Sequence, residues 1–307
     1  MVCVIYNYSS HKKHGNMDGE IEELVCSTTQ QVFGYTPRPF QVAAVSQLIR
    51  MSLGMINTRP LFICQPTGGS KSLVRDVFAV AVAGIIINIA PLLSLNADQN
   101  NKLKSKARCR NIHSFHLHEY NENCQIDRII EFLLNYPKNS PVCVLLFVSP
   151  QRIVEYPQYT NLVNELMAKG TLKLISIDEV QLFTQFGIWF RLEFYKLKDV
   201  LFNKALFHNI PILFMTASAN KLTIHHLELL TGIQFKINDF LWPTAEGMQC
   251  RKQLIQYEPG NQYNRVLRRE ISTLNMNKFI VYGNLRERIE NHLLGLCMSL
   301  GQEHPFR

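Results

Sequence analysis

The chain has 307 residues, 47% of them hydrophobic and 18% charged, enough for one large or two modest folded domains and too apolar for a disordered polypeptide. Eight cysteines without a single C-x-x-C pair argue against a disulfide framework and read as reduced thiols of an intracellular protein. A net charge of +8 and a pI near 9.1 suit a polyanionic partner, but the basic residues are spread out, so charge alone selects no ligand.

The first residues, MVCVIYNYSSHKKHGN, lack a basic region followed by an apolar core and a cleavage site, so no signal peptide is read. Residues 1 to about 20 are expected to form a loosely held tail, and residues 20–31 a helix. Next comes FGYTPRPFQ, residues 33–41, where two prolines flank Arg38 and predict a stiff, extended turn that delivers Gln41 to a helix start. A planar amide held there has the donor and acceptor to read an adenine edge. On its own, a Gln at that place is more often just a helix-start residue.

The apolar run at residues 61–64 predicts a strand, and residues 73–83 predict a helix. Between them lies QPTGGSKS. A strand, a Gly-rich turn and a Lys-Ser pair opening a helix form a cradle for phosphates: backbone N–H groups and the positive helix end face the anion, the Lys meets the β/γ-phosphates, and the hydroxyl holds Mg²⁺. Thr67, Gly68, Gly69, Ser70, Lys71 and Ser72 are the candidates. The strict pattern has Gly before the Lys, and this chain has Ser70 there.

Residues 77–95 carry only Asn88 and Ser94 as polar side chains, a membrane-like hydropathy. Gly84 and Pro91 divide the stretch, which reads better as a buried helix followed by a buried parallel strand. No membrane partner is expected. Residues 100–110 form a basic, helix-compatible stretch, and HSFHLHEY, with His113, His116 and His118, reads as a polar or aromatic face near a loop. No acid or Cys completes a zinc spacing there, so no zinc site is expected.

Helices are expected at residues 125–135 and 159–169, and an apolar strand from residue 142 ending at Ser149-Pro150. LKLISIDEVQ, residues 172–181, is a strand running into Asp178 and Glu179. One carboxylate at such a strand end serves a metal, and the other orients or activates water. FTQFGIWFRLEFY is rich in rings that either pack in the core or stack on bases. PILFMTASAN predicts another strand ending in Thr216 and Ser218. The alternation of apolar strands and helices predicts an α/β fold with a mostly parallel sheet, and the polar positions fall at strand C-terminal ends, where ligands bind in such folds.

In this order the motifs resemble the superfamily 2 helicases, and within them the RecQ-like DNA helicases. FGYTPRPFQ is similar to the family's F-G-[FY]…R-P-x-Q element, QPTGGSKSL to P-T-G-G-G-K-S-L, and IAPLLSLNADQ to S-P-L-x-S-L-x-x-D-Q. FVSPQR resembles V-T-P-E-R with Gln151 for the acid, IDEVQ the D-E-A-H box with Gln181 for the His, and TQFGIWFR the aromatic-rich loop S-Q-W-G-H-D-F-R. MTASAN resembles L-T-A-T-A-D, and FIVYGNLRE the first motif of a second motor domain.

The resemblance implies a RecA-like P-loop NTPase domain over residues 33–240, after an N-terminal tail and short helix at 1–32. It also implies a linker at 241–276 and the start of a second RecA-like domain at 277–307. It implies ATP and Mg²⁺ as cofactors, with Gln41 and Arg38 beside the base, Lys71 and residues 67–72 around the phosphates, and Ser72 and Asp178 on the metal. Glu179 would orient the attacking water, and Gln181, Thr216 and Ser218 would couple nucleotide state to DNA. Single-stranded or forked DNA would meet Pro91, Leu92, Ser149, Pro150, Gln185, Phe186, Phe190 and Arg191. The family's arginine-finger segment falls beyond Arg307, so residues 1–307 alone are expected to hydrolyse ATP slowly at most. Two readings stay open: the N-terminal motor portion of an ATP-dependent DNA helicase, or a degenerate, non-catalytic nucleotide- or nucleic-acid-binding remnant of one.

Overall fold

The computed structural model describes residues 17–91, 93–106, 111–117, 123–182 and 193–243. Leu92, His118, Gln185, Phe186, Phe190, Arg191 and the expected second domain lie outside the described residues, as does most of the expected linker.

Seven strands form one sheet: β1 (Pro60–Cys64), β2 (Gly84–Ile89), β3 (Ile112–His116), β4 (Cys143–Val148), β5 (Leu172–Ile177), β6 (Ile212–Thr216) and β7 (Phe240–Leu241). Their order is β3-β4-β2-β5-β6-β1-β7, and every pairing is parallel. The apolar runs of β1, β2, β4 and β6 are buried throughout, as strands covered on both faces must be. Successive side chains point to opposite faces: Leu61 and Ile63 join one core cluster, Phe62 and Cys64 the other.

The first face is covered by α1 (Met17–Thr28), α2 (Pro39–Ser52) and α3 (Ser72–Val82), through residues such as Ile21, Val25, Leu48, Val74 and Phe78. The other is covered by α5 (Asn123–Leu134), α7 (Pro157–Ala168) and α10 (Lys221–Thr231), with Leu133, Leu162, Leu166 and Leu227 in the core. Further helices are α4 (Leu93–Lys106), α6 (Pro150–Glu155), α8 (Glu193–Leu197) and α9 (Asn203–Phe207). The expected α/β class holds.

One local expectation changes, and two other stretches are located. Residues 17–20 belong to α1 rather than to a tail, because Ile21 and Val25 are fully buried and anchor that helix. In the histidine-rich stretch, His113 and His116 lie on edge strand β3, paired with β4. Residues 77–95 divide into the end of α3, β2 and the start of α4. Among the described residues no helix is long and apolar enough to cross a membrane.

Candidate nucleotide site

The loop between β1 and α3 is tightened by Gly69 N–H donating to the Pro66 carbonyl at 2.9 Å. A Cβ on Gly69 would stand 2.8 Å from that same oxygen, so only glycine fits. Gly68 has φ 81° and Ser70 φ 58°, both left-handed. For Ser70 this backbone costs about 1–2 kcal/mol that glycine would not incur. Thr67, Gly68 and Ser70 are exposed, while Lys71 and Ser72 are half-buried, with Ser72 opening α3. The Lys71 ammonium donates to the Gln65 carbonyl at 2.9 Å, folding across the mouth of the loop.

Gln41, the third residue of α2, is buried with both ends of its amide engaged. Oε1 accepts from Arg38 N–H at 2.8 Å, closing the helix start, and Nε2 donates to the Ser70 carbonyl at 2.9 Å. Its amide thus fastens the phosphate loop to α2 and supports the left-handed turn at Ser70. The bond to Arg38 is the expected helix-start role, while the tie to Ser70 was not legible in the spacing. Arg38 is exposed, with Nη1 3.9 Å from where a Cβ on Gly69 would stand, so its guanidinium reaches over the loop.

The acids follow β5. Asp178 N–H is held by the Ile89 carbonyl at 2.9 Å, which fixes the strand end against β2. The buried Asp178 carboxylate accepts from Glu179 N–H at 2.9 Å on Oδ1 and from Gln99 Nε2 at 2.5 Å on Oδ2. Glu179 also has a left-handed backbone, φ 51°. Ser70 and Glu179 share this left-handed backbone with Ala83 and Asn209, which lie before β2 and β6. Glu179 Oε2 accepts from Gln181 Nε2 at 2.5 Å, and Gln181 Oε1 accepts from the Thr216 hydroxyl. That hydroxyl also faces the Ser218 carbonyl at 2.8 Å and accepts from Ser218 N–H at 3.2 Å.

Sheet order explains why these groups meet. β6 lies between β1 and β5, with Thr216 in register with Cys64 and its carbonyl accepting from Gln65 N–H at 3.1 Å. Thr216 therefore touches the phosphate loop through its backbone and the acid pair, via Gln181, through its side chain. Burial pushes the Cys64 thiol pKa up, opposed by the Ala219 backbone and by Lys71, so Cys64 acts as core beneath the loop.

A buried cluster stands behind Asp178. Arg75 of α3, 1% exposed, donates to Asn88 Oδ1 at 2.7 Å and Gln99 Oε1 at 2.8 Å, pairs with Asp76 at 2.6 Å, and lies 5.0 Å over the Phe147 ring. Asn96 Nδ2 reaches the Val148 carbonyl at 3.2 Å. Sequence reasoning missed this cluster. Its signal was present as one Arg on the apolar face of α3 and one Asn interrupting the isoleucines of β2.

The expected DNA-facing residues divide. Pro91, Ser149 and Pro150 are buried, and Ser149 caps α6 by accepting from Arg152 N–H at 3.4 Å. Their side chains are buried in this structure, and contact with DNA stays an expectation for them. They shape the strand-end rim. The other expected contacts fall outside the described residues.

The residues present fit a nucleoside triphosphate with a hard divalent cation. The loop is open at Gly68, where an added Cβ would meet nothing within 4 Å. The ammonium of Lys71, the hydroxyl of Ser72 and the oxygens of Asp178 are suitable donors and ligands.

No family model matches the chain. It is 32% identical over 52% of its length to the RecQ-like DNA helicase BLM of Xenopus laevis, and 30% identical over 65% to the ATP-dependent helicase SGS1 of Saccharomyces cerevisiae. To the ATP-dependent DNA helicase RecQ of Haemophilus influenzae it is 27% identical over 86% of its length. It spans 11%, 13% and 38% of those three proteins. In fold it resembles the DUF1998 helicase MrfA bound to DNA, with a TM-score of 0.58 and 15% identity over 92% of this chain and 37% of that one. The MrfA complex with DNA and AMPPNP gives 0.57. Motif order and relatives agree: the chain is similar to the RecQ-like DNA helicases, and its sheet shares the fold of the MrfA helicase.

Proposed function

We propose that residues 33–240 are an ATP-binding RecA-like motor unit, the N-terminal motor portion of an ATP-dependent DNA helicase that acts on single-stranded or forked DNA. In this reading residues 241–276 link it to the start of a second such domain, and the protein works in the nucleus if its source is eukaryotic. One observation carries the proposal. The glycine-imposed loop with Lys71 and Ser72 shares the strand-end rim, across β6, with Asp178 and Glu179.

In this site the loop N–H groups and Lys71 hold the triphosphate, and Lys71 exchanges the Gln65 carbonyl for phosphate oxygens. Ser72 and Asp178 would hold Mg²⁺, which neutralises phosphate charge when bound. Glu179 orients water, with its carboxylate fixed by Gln181. Because Gln181 is tied to Thr216, and Thr216 to Gln65, a change of backbone at the loop is felt at Gln181. That is a physical basis for coupling nucleotide to the rest of the motor.

The test is the affinity of the 307-residue chain for a fluorescent N-methylanthraniloyl-ATP. Lys71→Ala is expected to weaken it by at least about tenfold, the loss of one charge-assisted contact. Equal affinity in both proteins would overturn the reading and leave a remnant without a working pocket.

A further inference from the structure

We propose that Gln99 is a positioning residue for the Asp178 carboxylate, held to that task by Arg75 and Asn88. The metal-holding acid is thereby wired to α4, the helix that begins just past Pro91. The inference rests on the nucleotide reading above and adds residues that the helicase motifs do not assign to the metal site.

The orientation of Gln99 is forced. Its Oε1 faces Arg75 Nη1 at 2.8 Å, and a guanidinium has only donors. Its Nε2 must then point the other way, to Asp178 Oδ2 at 2.5 Å. Turning the amide over would set NH₂ against guanidinium and oxygen against carboxylate, losing two charge-assisted bonds together. Arg75 is fixed in turn by Asp76 at 2.6 and 2.8 Å and by Asn88 Oδ1 at 2.7 Å. Asn88 Nδ2 lies 3.4 Å from Asn96 Oδ1 and 3.5 Å from Gln99 Oε1, which closes the cluster.

The carboxylate has about four lone-pair sites. Glu179 N–H and Gln99 take two of them, which sets the direction of those left for a cation or its waters. Gln99 and Asn96 both lie on α4, and Asn96 holds the carbonyls of Ala90 and Val148 at the ends of β2 and β4. A displacement of α4 therefore moves Gln99 relative to Asp178. This gives the Pro91 rim a short, buried route to the metal ligand.

The experiment titrates Mg²⁺ against N-methylanthraniloyl-ATP bound to the 307-residue chain, with folding followed by thermal melting. Gln99→Met keeps the length and removes the donor. It is expected to raise the Mg²⁺ half-saturation about tenfold, as removal of a group that orients a metal ligand does, while metal-free nucleotide affinity stays within about twofold. Should Gln99→Met fail to fold, Arg75→Lys keeps a buried cation without the planar fork, and about a threefold shift in the same direction is expected. Lys71→Ala, in contrast, weakens binding with and without metal. An unchanged Mg²⁺ half-saturation in a folded variant, or an equal fall of metal-free and metal-bound affinity, overturns the positioning role alone. A wild-type chain that binds no nucleotide with or without Mg²⁺ takes down the nucleotide reading, and this inference with it.

Discussion

Thr67, Gly68 and Ser70 are exposed, and the loop they belong to bonds mainly through backbone atoms. Arg75, Asn88, Asn96 and Gln99, on the helix that leaves the loop and on the next strand and helix, are buried and bond through their side chains. In the proposed nucleotide site the loop is built to exchange partners: Lys71 holds the Gln65 carbonyl, which a stronger anion can displace. The cluster is built not to. Each of its charges and amides is satisfied internally, and losing one partner strands another in a medium that cannot solvate it. Flexibility of partner and rigidity of position are thus separated in space, on either side of the strand ends.

Arg75→Met is the hardest break in this comparison. It leaves Asp76, Asn88 and Gln99 without their common donor and is expected to lower unfolding stability by about 3 kcal/mol in urea titration. A loss below about 1 kcal/mol would mean that the cluster is as replaceable as the loop. Thr216→Val probes the strand between the two regions. It keeps the shape, removes the hydroxyl shared by Gln181 and Ser218, and is expected to cost about 1–2 kcal/mol by the same measurement. A neutral result would show that Gln181 finds another anchor.

Ser70→Gly is the mildest test and the only one expected to stabilise. Relief of the left-handed backbone is worth about 1 kcal/mol in unfolding stability, and tighter fluorescent-ATP binding should accompany it. A destabilised Ser70→Gly would mean that the serine side chain makes a contact worth more than the strain.

What was legible in the sequence follows from what a pattern can encode. Apolar runs that alternate with helices announced the parallel sheet, because burial on both faces leaves no polar positions in β2 or β4 apart from Asn88. The phosphate loop was legible because backbone geometry dictates residue type there: Gly69 has no room for a Cβ, and Gly68 is left-handed. The departure at Ser70 was visible as a serine in glycine's usual place, and its left-handed backbone is the physical reason glycine is usual there. Glu179 was anticipated as an acid at a strand end, but its own left-handed backbone was not, since a carboxylate gives no sign of φ.

Side-chain partnerships at long separation were the illegible part. Gln99 and Asp178 are 79 positions apart, and Gln41 and Ser70 are 29 apart. No local spacing records which amide meets which oxygen. For Gln41 the residues alone favoured a helix-start role, which the bond to Arg38 N–H bears out, but the tie to Ser70 has no local signature. The buried positions of Pro91, Ser149 and Pro150 were hidden for a similar reason: small and cyclic residues at strand ends look the same whether they line a surface or shape one.

Helix α1 carries a practical lesson about dissection. The motifs begin at Phe33, and a gene fragment designed from them would start there. Ile21 and Val25 are at 0% exposure, and Asp18 reaches Arg50 of α2 at 2.8 Å. A polypeptide cut at Phe33 would bare the apolar flank of α2 and α3 that these residues cover, and aggregation in expression would be mistaken for a defect of the motor. The workable excision point is upstream of Met17, set by the helix that shields the sheet and not by the first residue that resembles a helicase.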